Sequence, residues 1–209
     1  MVLLKDNANN NNKPIITYYI ITISIIVFLI QLTLPGNTSG ELYYTFGLIP
    51  SKLLGKVFPE QLNKINPYLT FFTSIFLHVG FLHLLFNMSY LWIFGRKVEY
   101  KIGKLKFAIS YFVYAIITGI VQILFGFSYN LPMIGADGAI SGLLGAYIIE
   151  YPKKTKSYYF ITFWFIFQFI VDQARYNLNG EIDYGVKMYT FILAAFITFA
   201  FKRLTYPQK

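Results

Sequence analysis

Gly135-Ala136-Asp137-Gly138-Ala139-Ile140-Ser141-Gly142-Leu143-Leu144-Gly145-Ala146 decides how this chain folds. At 3.6 residues per turn, Asp137, Ser141 and Gly145 form one stripe, and Gly138, Gly142 and Ala146 the next. Small residues at four-residue spacing let helix backbones approach closely within a bilayer, so this helix is expected at the centre of a bundle. One acid stands at its mouth. An ionisable side chain in a membrane segment costs about 2.5 to 3.5 kcal/mol on insertion scales and marks a site by default.

The rest of the chain supports a membrane setting. Of 209 residues, 56% are hydrophobic and 13% charged, far from the balance of soluble domains. Ile15 to Leu34, Ile65 to Gly95 and Phe107 to Ala136 carry no Asp, Glu, Lys or Arg. Each exceeds or matches the roughly 20 residues needed to cross a bilayer core. Shorter apolar segments follow, the last with Lys187 near its start, where a lysine is expected to snorkel toward the headgroups. The reading is an all-α membrane protein with spans at about 15–34, 70–95, 105–127, 132–151, 158–174 and 184–203, in one membrane domain over 14–205.

A net charge of +9 could suggest nucleic acid, but its distribution follows loops between spans. Most of the 18 Lys and Arg fall on one side when the N-terminus is inside: Arg96, Lys97, Lys101, Lys104, Lys106, Lys153, Lys154, Lys156, Lys202 and Arg203 among them. Both termini are therefore expected to be cytoplasmic, with Asp137 toward the outer face and no nucleic-acid partner. Residues 1–13, with Asn7 and Asn9 to Asn12, read as a disordered tail. The first apolar run is too long for a signal-peptide core and is expected to be retained. Between Pro35 and Tyr68 the stretch Phe46-Gly47-Leu48-Ile49-Pro50, with Leu53 and Leu54, is expected to lie along the interface.

Zero cysteines excludes disulfides, thiolate metal sites and a cysteine nucleophile. The two histidines, His78 and His83, are five apart and would diverge on one helix, so neither a metal nor any cofactor is expected. His83 and Asn87, four apart, share a face; by themselves they read as interhelical hydrogen bonders. Glu99 sits among Arg96, Lys97 and Lys101, where an interfacial ion pair is the natural expectation.

Taken in order, Phe46-Gly47-Leu48-Ile49-Pro50, Thr73-Ser74-Ile75-Phe76-Leu77-His78, His83 with Asn87, Phe94-Gly95-Arg96-Lys97-Val98-Glu99 and Gly135-Ala136-Asp137-Gly138 resemble the rhomboids, a family of intramembrane serine proteases. The resemblance implies a six-transmembrane-helix rhomboid-like bundle. It also implies a serine nucleophile in a Gly-x-Ser-Gly motif on span four, a histidine base on span six, and an oxyanion-stabilising pair matching His83 and Asn87. Here Asp137 fills the serine slot. The base slot falls on Phe191 when span six is anchored at Gly185-Val186, or on Ile192 when anchored at Ala194-Ala195, and neither accepts a proton. Donors without nucleophile and base stabilise a transition state that nothing reaches.

The leading expectation is thus a pseudoprotease in the plasma or cell membrane that binds transmembrane segments of client proteins. In its site Asp137 would be protonated, or ionised and paired with a histidinium of His83. Two alternatives stand beside it. Intramembrane proteolysis through a non-standard site would make Ser141 the nucleophile and Asp137 its base, although small hydroxyls on membrane helices usually bond a carbonyl. Ion or proton transport through Asp137, His83 and Asn87 is the other. A two-aspartate protease would need Asp172, at the outer end of span five.

Overall fold

The computed structural model describes residues 13–56, 64–125, 130–153, 155–179 and 184–205. Of the asparagine-rich tail expected to be disordered over 1–13, residues 1–12 lie outside them. Among the described residues the regular secondary structure is helical, with one isolated bridge between Leu48 and Met133 in the connecting loops. Ten α-helices follow in order: α1 Ile15–Thr33, α2 Gly36–Phe46, α3 Pro50–Leu53, α4 Thr70–Thr73, α5 Phe81–Tyr90, α6 Arg96–Ile102, α7 Lys104–Phe125, α8 Asp137–Glu150, α9 Thr155–Asn179 and α10 Tyr184–Thr205. Single 3-10 turns, Pro67–Leu69 and Ser74–Phe76, flank α4, and a π-helical turn, Leu91–Gly95, joins α5 to α6.

Among the described residues α1, α7 and the stretch Gly185–Arg203 of α10 are long and apolar enough to cross a bilayer. A fourth span arises if Pro67–Phe76 and Phe81–Ile102 are one segment, although they meet at 87°. A continuous helix over 70–95 is therefore overturned. The break is held from outside: Gln31 of α1 accepts from the His78 backbone N–H at 3.2 Å and donates to the His78 carbonyl at 2.9 Å. These two bonds replace the helical partners that residue 78 would otherwise have, and α5 restarts at Phe81.

α8 is the hub, with its closest packing against α10 and α7. Ten consecutive residues, Gly138 to Tyr147, are buried, so this helix has no lipid-facing stripe along that length. Glycine makes the approach possible. A Cβ at Gly142 would meet the Tyr114 ring at 2.5 Å, and one at Gly145 would collide with the Phe191 carbonyl. The helix begins at Asp137, five residues later than the expected span; Leu48 and Met133 exchange backbone bonds of 3.0 and 2.8 Å across the preceding loop. Leu48 and Ile49 are consequently buried in the body of the protein, and only Leu54 of that segment is exposed as an interfacial residue would be.

Glu99 is also corrected. Its carboxylate is fully buried and accepts from the backbone N–H groups of Ile16 and Thr17 at 2.9 and 2.8 Å and from the Thr17 hydroxyl at 2.7 Å. It caps the N-terminus of α1, whose own N-cap, Pro14, has no side chain able to accept those donors.

Candidate functional site

Four helices, α5, α8, α9 and α10, and the loop before α8 assemble the site. Asp137 is the first residue of α8, where a carboxylate complements the positive end of the helix dipole. Gly135, two residues before it, has φ +115°, a conformation that favours glycine, and donates its N–H to the Ser74 carbonyl at 2.9 Å. A Cβ there would fall 2.6 Å from His83 Cε1 and 2.7 Å from Asp137 Oδ1. Glycine thus lets the loop, the imidazole and the carboxylate converge.

Opposite Asp137, from the first turns of α10, stands Lys187. Its Nζ lies 3.0 Å from Asp137 Oδ2 and donates to Gln168 Oε1 of α9 at 2.8 Å. The lysine side chain is 8% and the aspartate side chain 13% exposed, so the pair is nearly desolvated. Snorkelling is overturned: Lys187 turns inward to a counter-charge. His83 Nε2 is 3.7 Å from Asp137 Oδ1, beyond hydrogen-bond range, so the near counter-ion is the lysine rather than a histidinium.

The other expected site residues fall into place differently. Asn87 is fully buried, and its side-chain N and O, like His83 Nδ1, have no protein hydrogen-bond partner. Ser141 is fully buried one turn below Asp137 and donates its hydroxyl to the Lys187 carbonyl, which fastens α8 to α10. Phe191 packs edge-on against Phe165 with ring centres 5.0 Å apart, and Ile192 is 54% exposed, so neither faces Asp137. The residue of α10 that does is one turn earlier than Phe191. Asp172 belongs to α9, but its side chain lies outside the described ones. His78 and His83 meet edge to face at 5.1 Å, because the break before Phe81 removes the helical divergence that would have separated them.

Beside the ion pair is a cavity of about 40 Å³, whose polar lining comes from Ser74, Thr118, Gln122, Asp137 and Lys187. That is room for a water molecule or a few. The Asp137 carboxylate and the Lys187 amine engage each other, and the Ser141 hydroxyl donates to a backbone carbonyl. Lys187 is the functional residue that sequence reasoning missed. A lone base and a lone acid, each in an apolar helix, were the available signal, since such groups in membranes usually pair.

Comparison with known proteins places the chain in a family. A family model described as Rhomboid domain matches residues 66–205. The chain is 32% identical over 136 residues to rhomboid protease GluP of Bacillus subtilis, covering 65% of this chain and 24% of that protein. It is 32% identical over 93 residues to rhomboid protease GlpG of Haemophilus influenzae, 44% of this chain and 45% of that one. It is also 34% identical over 86 residues to inactive RHOMBOID-like protein 8 of Arabidopsis thaliana, 41% of this chain and 24% of that one. The matches thus span less than half of each of these relatives. With the family's domain covering the site, the broken second segment and α10, the chain belongs to the rhomboid family of integral membrane proteins.

Proposed function

We propose that this protein is a pseudoprotease: a rhomboid bundle that binds transmembrane segments of client membrane proteins and does not cut them. The observation that carries the reading is the ion pair. Where the family places a nucleophile, an acid stands 3.0 Å from a lysine, both shielded from water. A hydroxyl nucleophile needs a base within hydrogen-bond reach, and a carboxylate neutralised by an ammonium is neither. The relatives bear names of both kinds, protease and inactive, so descent alone does not choose between them.

His83 and Asn87 fill the family's oxyanion positions, and their unpartnered buried polar atoms suit them to receive a carbonyl or polar side chain of a client helix. Six membrane segments, formed by α1, the bent pair, α7, α8, α9 and α10, would enclose that site as one domain over 14–205, with both termini cytoplasmic and the plasma membrane as its setting.

The test uses purified protein in nanodiscs with a fluorescent single-span peptide. Saturable binding without cleavage is expected from the parent. Asp137→Ser combined with Lys187→His is expected to restore cleavage, whereas Asp137→Ser combined with Phe191→His is not. Cleavage by the parent that disappears in Ser141→Ala would establish the non-standard protease instead, and absence of saturable binding would remove the client-binding role.

A further inference from the structure

Three contacts gather four helices at one end of the bundle. Tyr151, just past α8, donates to the Lys97 carbonyl of α6 at 2.8 Å, Lys202 of α10 donates to the Ile149 carbonyl of α8 at 3.2 Å, and Lys106 of α7 lies over the Phe201 ring of α10. Cations dominate there. Lys101, Lys106, Lys153, Lys156 and Arg203 are exposed and Lys104 is half-buried, and none of the six has an ion-pair partner among the described residues. Of the described acids, the two at this end are already engaged. Glu99 accepts from the N-terminus of α1, and Glu150, its side chain 10% exposed, lies 3.5 Å from Lys202 Nζ.

Two of these cations are held at a defined height. Lys106 Nζ is 5.8 Å from the centre of the Phe201 ring, and Arg203 Cζ is 5.1 Å from that of Phe199. Both rings are exposed, on a stretch of α10 that is long and apolar enough to cross a bilayer and ends at Arg203; Lys106 stands in the first turn of another such helix. A ring exposed there meets lipid, so a cation lying over it sits at the boundary between acyl chains and headgroups rather than out in water. Phe199 and Arg203, one turn apart, share a face of α10, while Phe201 projects from the opposite side. The two cations therefore serve separate positions flanking the helix.

We propose that Lys106 and Arg203 anchor two anionic phospholipids of the surrounding bilayer, each phosphate on one cation and the acyl chains along the exposed ring beneath it. A phosphodiester brings one negative charge at the matching depth. An acidic peptide or a nucleic acid would match the charge but not the apolar surface that begins beside it, where Leu105 is 74% and Phe201 58% exposed. One cation near the membrane surface favours an anionic headgroup by about fivefold.

The full chain in detergent is titrated with phosphatidylglycerol and, separately, with phosphatidylcholine of the same chains, and lipid adducts are counted by native mass spectrometry. The parent is expected to bind phosphatidylglycerol about fivefold more tightly. Lys106→Gln combined with Arg203→Gln is expected to bring that ratio close to one. Lys153→Gln combined with Lys156→Gln removes the same charge from the connection between α8 and α9 and is expected to leave the ratio unchanged, as is the charge-keeping pair Lys106→Arg with Arg203→Lys. In the parent, raising the ammonium acetate concentration is expected to shrink the preference, a reading that needs no variant. Equal affinity of the parent for the two lipids overturns the proposal, and so does a preference insensitive to salt. Equal losses in the two glutamine pairs overturn it by making the attraction a property of the whole basic end, and loss in the charge-keeping pair overturns it by denying charge the role. Displacement of bound phosphatidylglycerol by inorganic phosphate or by chain-free glycerophosphoglycerol would reveal a water-facing anion site in its place.

Discussion

Lys187 and Asp137 bring opposite charges into apolar surroundings, and each makes the other tolerable there. Pairs of this kind contribute little net stability, since desolvation offsets attraction, but removing one member strands the other. Lys187→Met is therefore expected to destabilise the protein by about 3 kcal/mol, read as a lowered unfolding midpoint in detergent. Adding Asp137→Asn should recover most of that loss, because the replacement pair leaves no stranded charge. A double variant as unstable as the single one would show that Lys187 acts through contacts other than Asp137, such as its bond to Gln168. At this scale the sequence was only half legible. Asp137 stood out because an acid among glycines breaks a local pattern, whereas its partner is far along the chain and no periodicity connects them. Anchoring the last span on its small residues pointed to Phe191 and Ile192, which lie one turn beyond the side chain that enters the site.

At the level of elements, α8 shows which glycines are structural. Gly145 packs directly on the α10 backbone, where the Phe191 carbonyl and Ala195 nitrogen leave no flexible side chain to move aside. Gly145→Ala is expected to cost about 1 to 3 kcal/mol through forced separation of α8 and α10. Gly40, within α2, has nothing within 4 Å of an added Cβ, so Gly40→Ala should be neutral or stabilising by up to about 1 kcal/mol. Comparing the two thermal midpoints separates close packing from helix propensity; equal effects would contradict the close approach. The central place of α8 could be foreseen from its small-residue stripes, because these are local. The bend before α5 could not, since Gln31, which secures it, lies on a different helix. Neither could the start of α8 at Asp137, which depends on the loop pairing Leu48 with Met133.

For the whole molecule, charge asymmetry still provides the strongest topological argument. The ends of α6 and α10 and the start of α7 carry Lys101, Lys202, Arg203, Lys104 and Lys106, and Lys202 donates to Glu150 and to the Ile149 carbonyl at the end of α8. We propose that these groups lie at the cytoplasmic surface. Fluorescent-protein fusions at either terminus are expected to fluoresce, and alkaline phosphatase fusions at the same points to be inactive; the reverse result at one terminus would mean an odd number of crossings. The all-helical class was legible throughout because composition alone compels it. The shortness of α8 was not, because a segment enclosed by its neighbours need not be as long as one bathed in lipid.

Gln31 and Thr17 belong to α1, which precedes the 66–205 stretch matched by the family model, yet both hold groups within that stretch. One closes the bend beside His78; the other helps satisfy the buried Glu99 carboxylate. A trimmed version beginning at residue 66 would leave two backbone groups and a carboxylate orphaned in an apolar interior. The minimal self-sufficient unit is thus larger than the homologous core, with the first helix serving as a built-in scaffold rather than a detachable anchor.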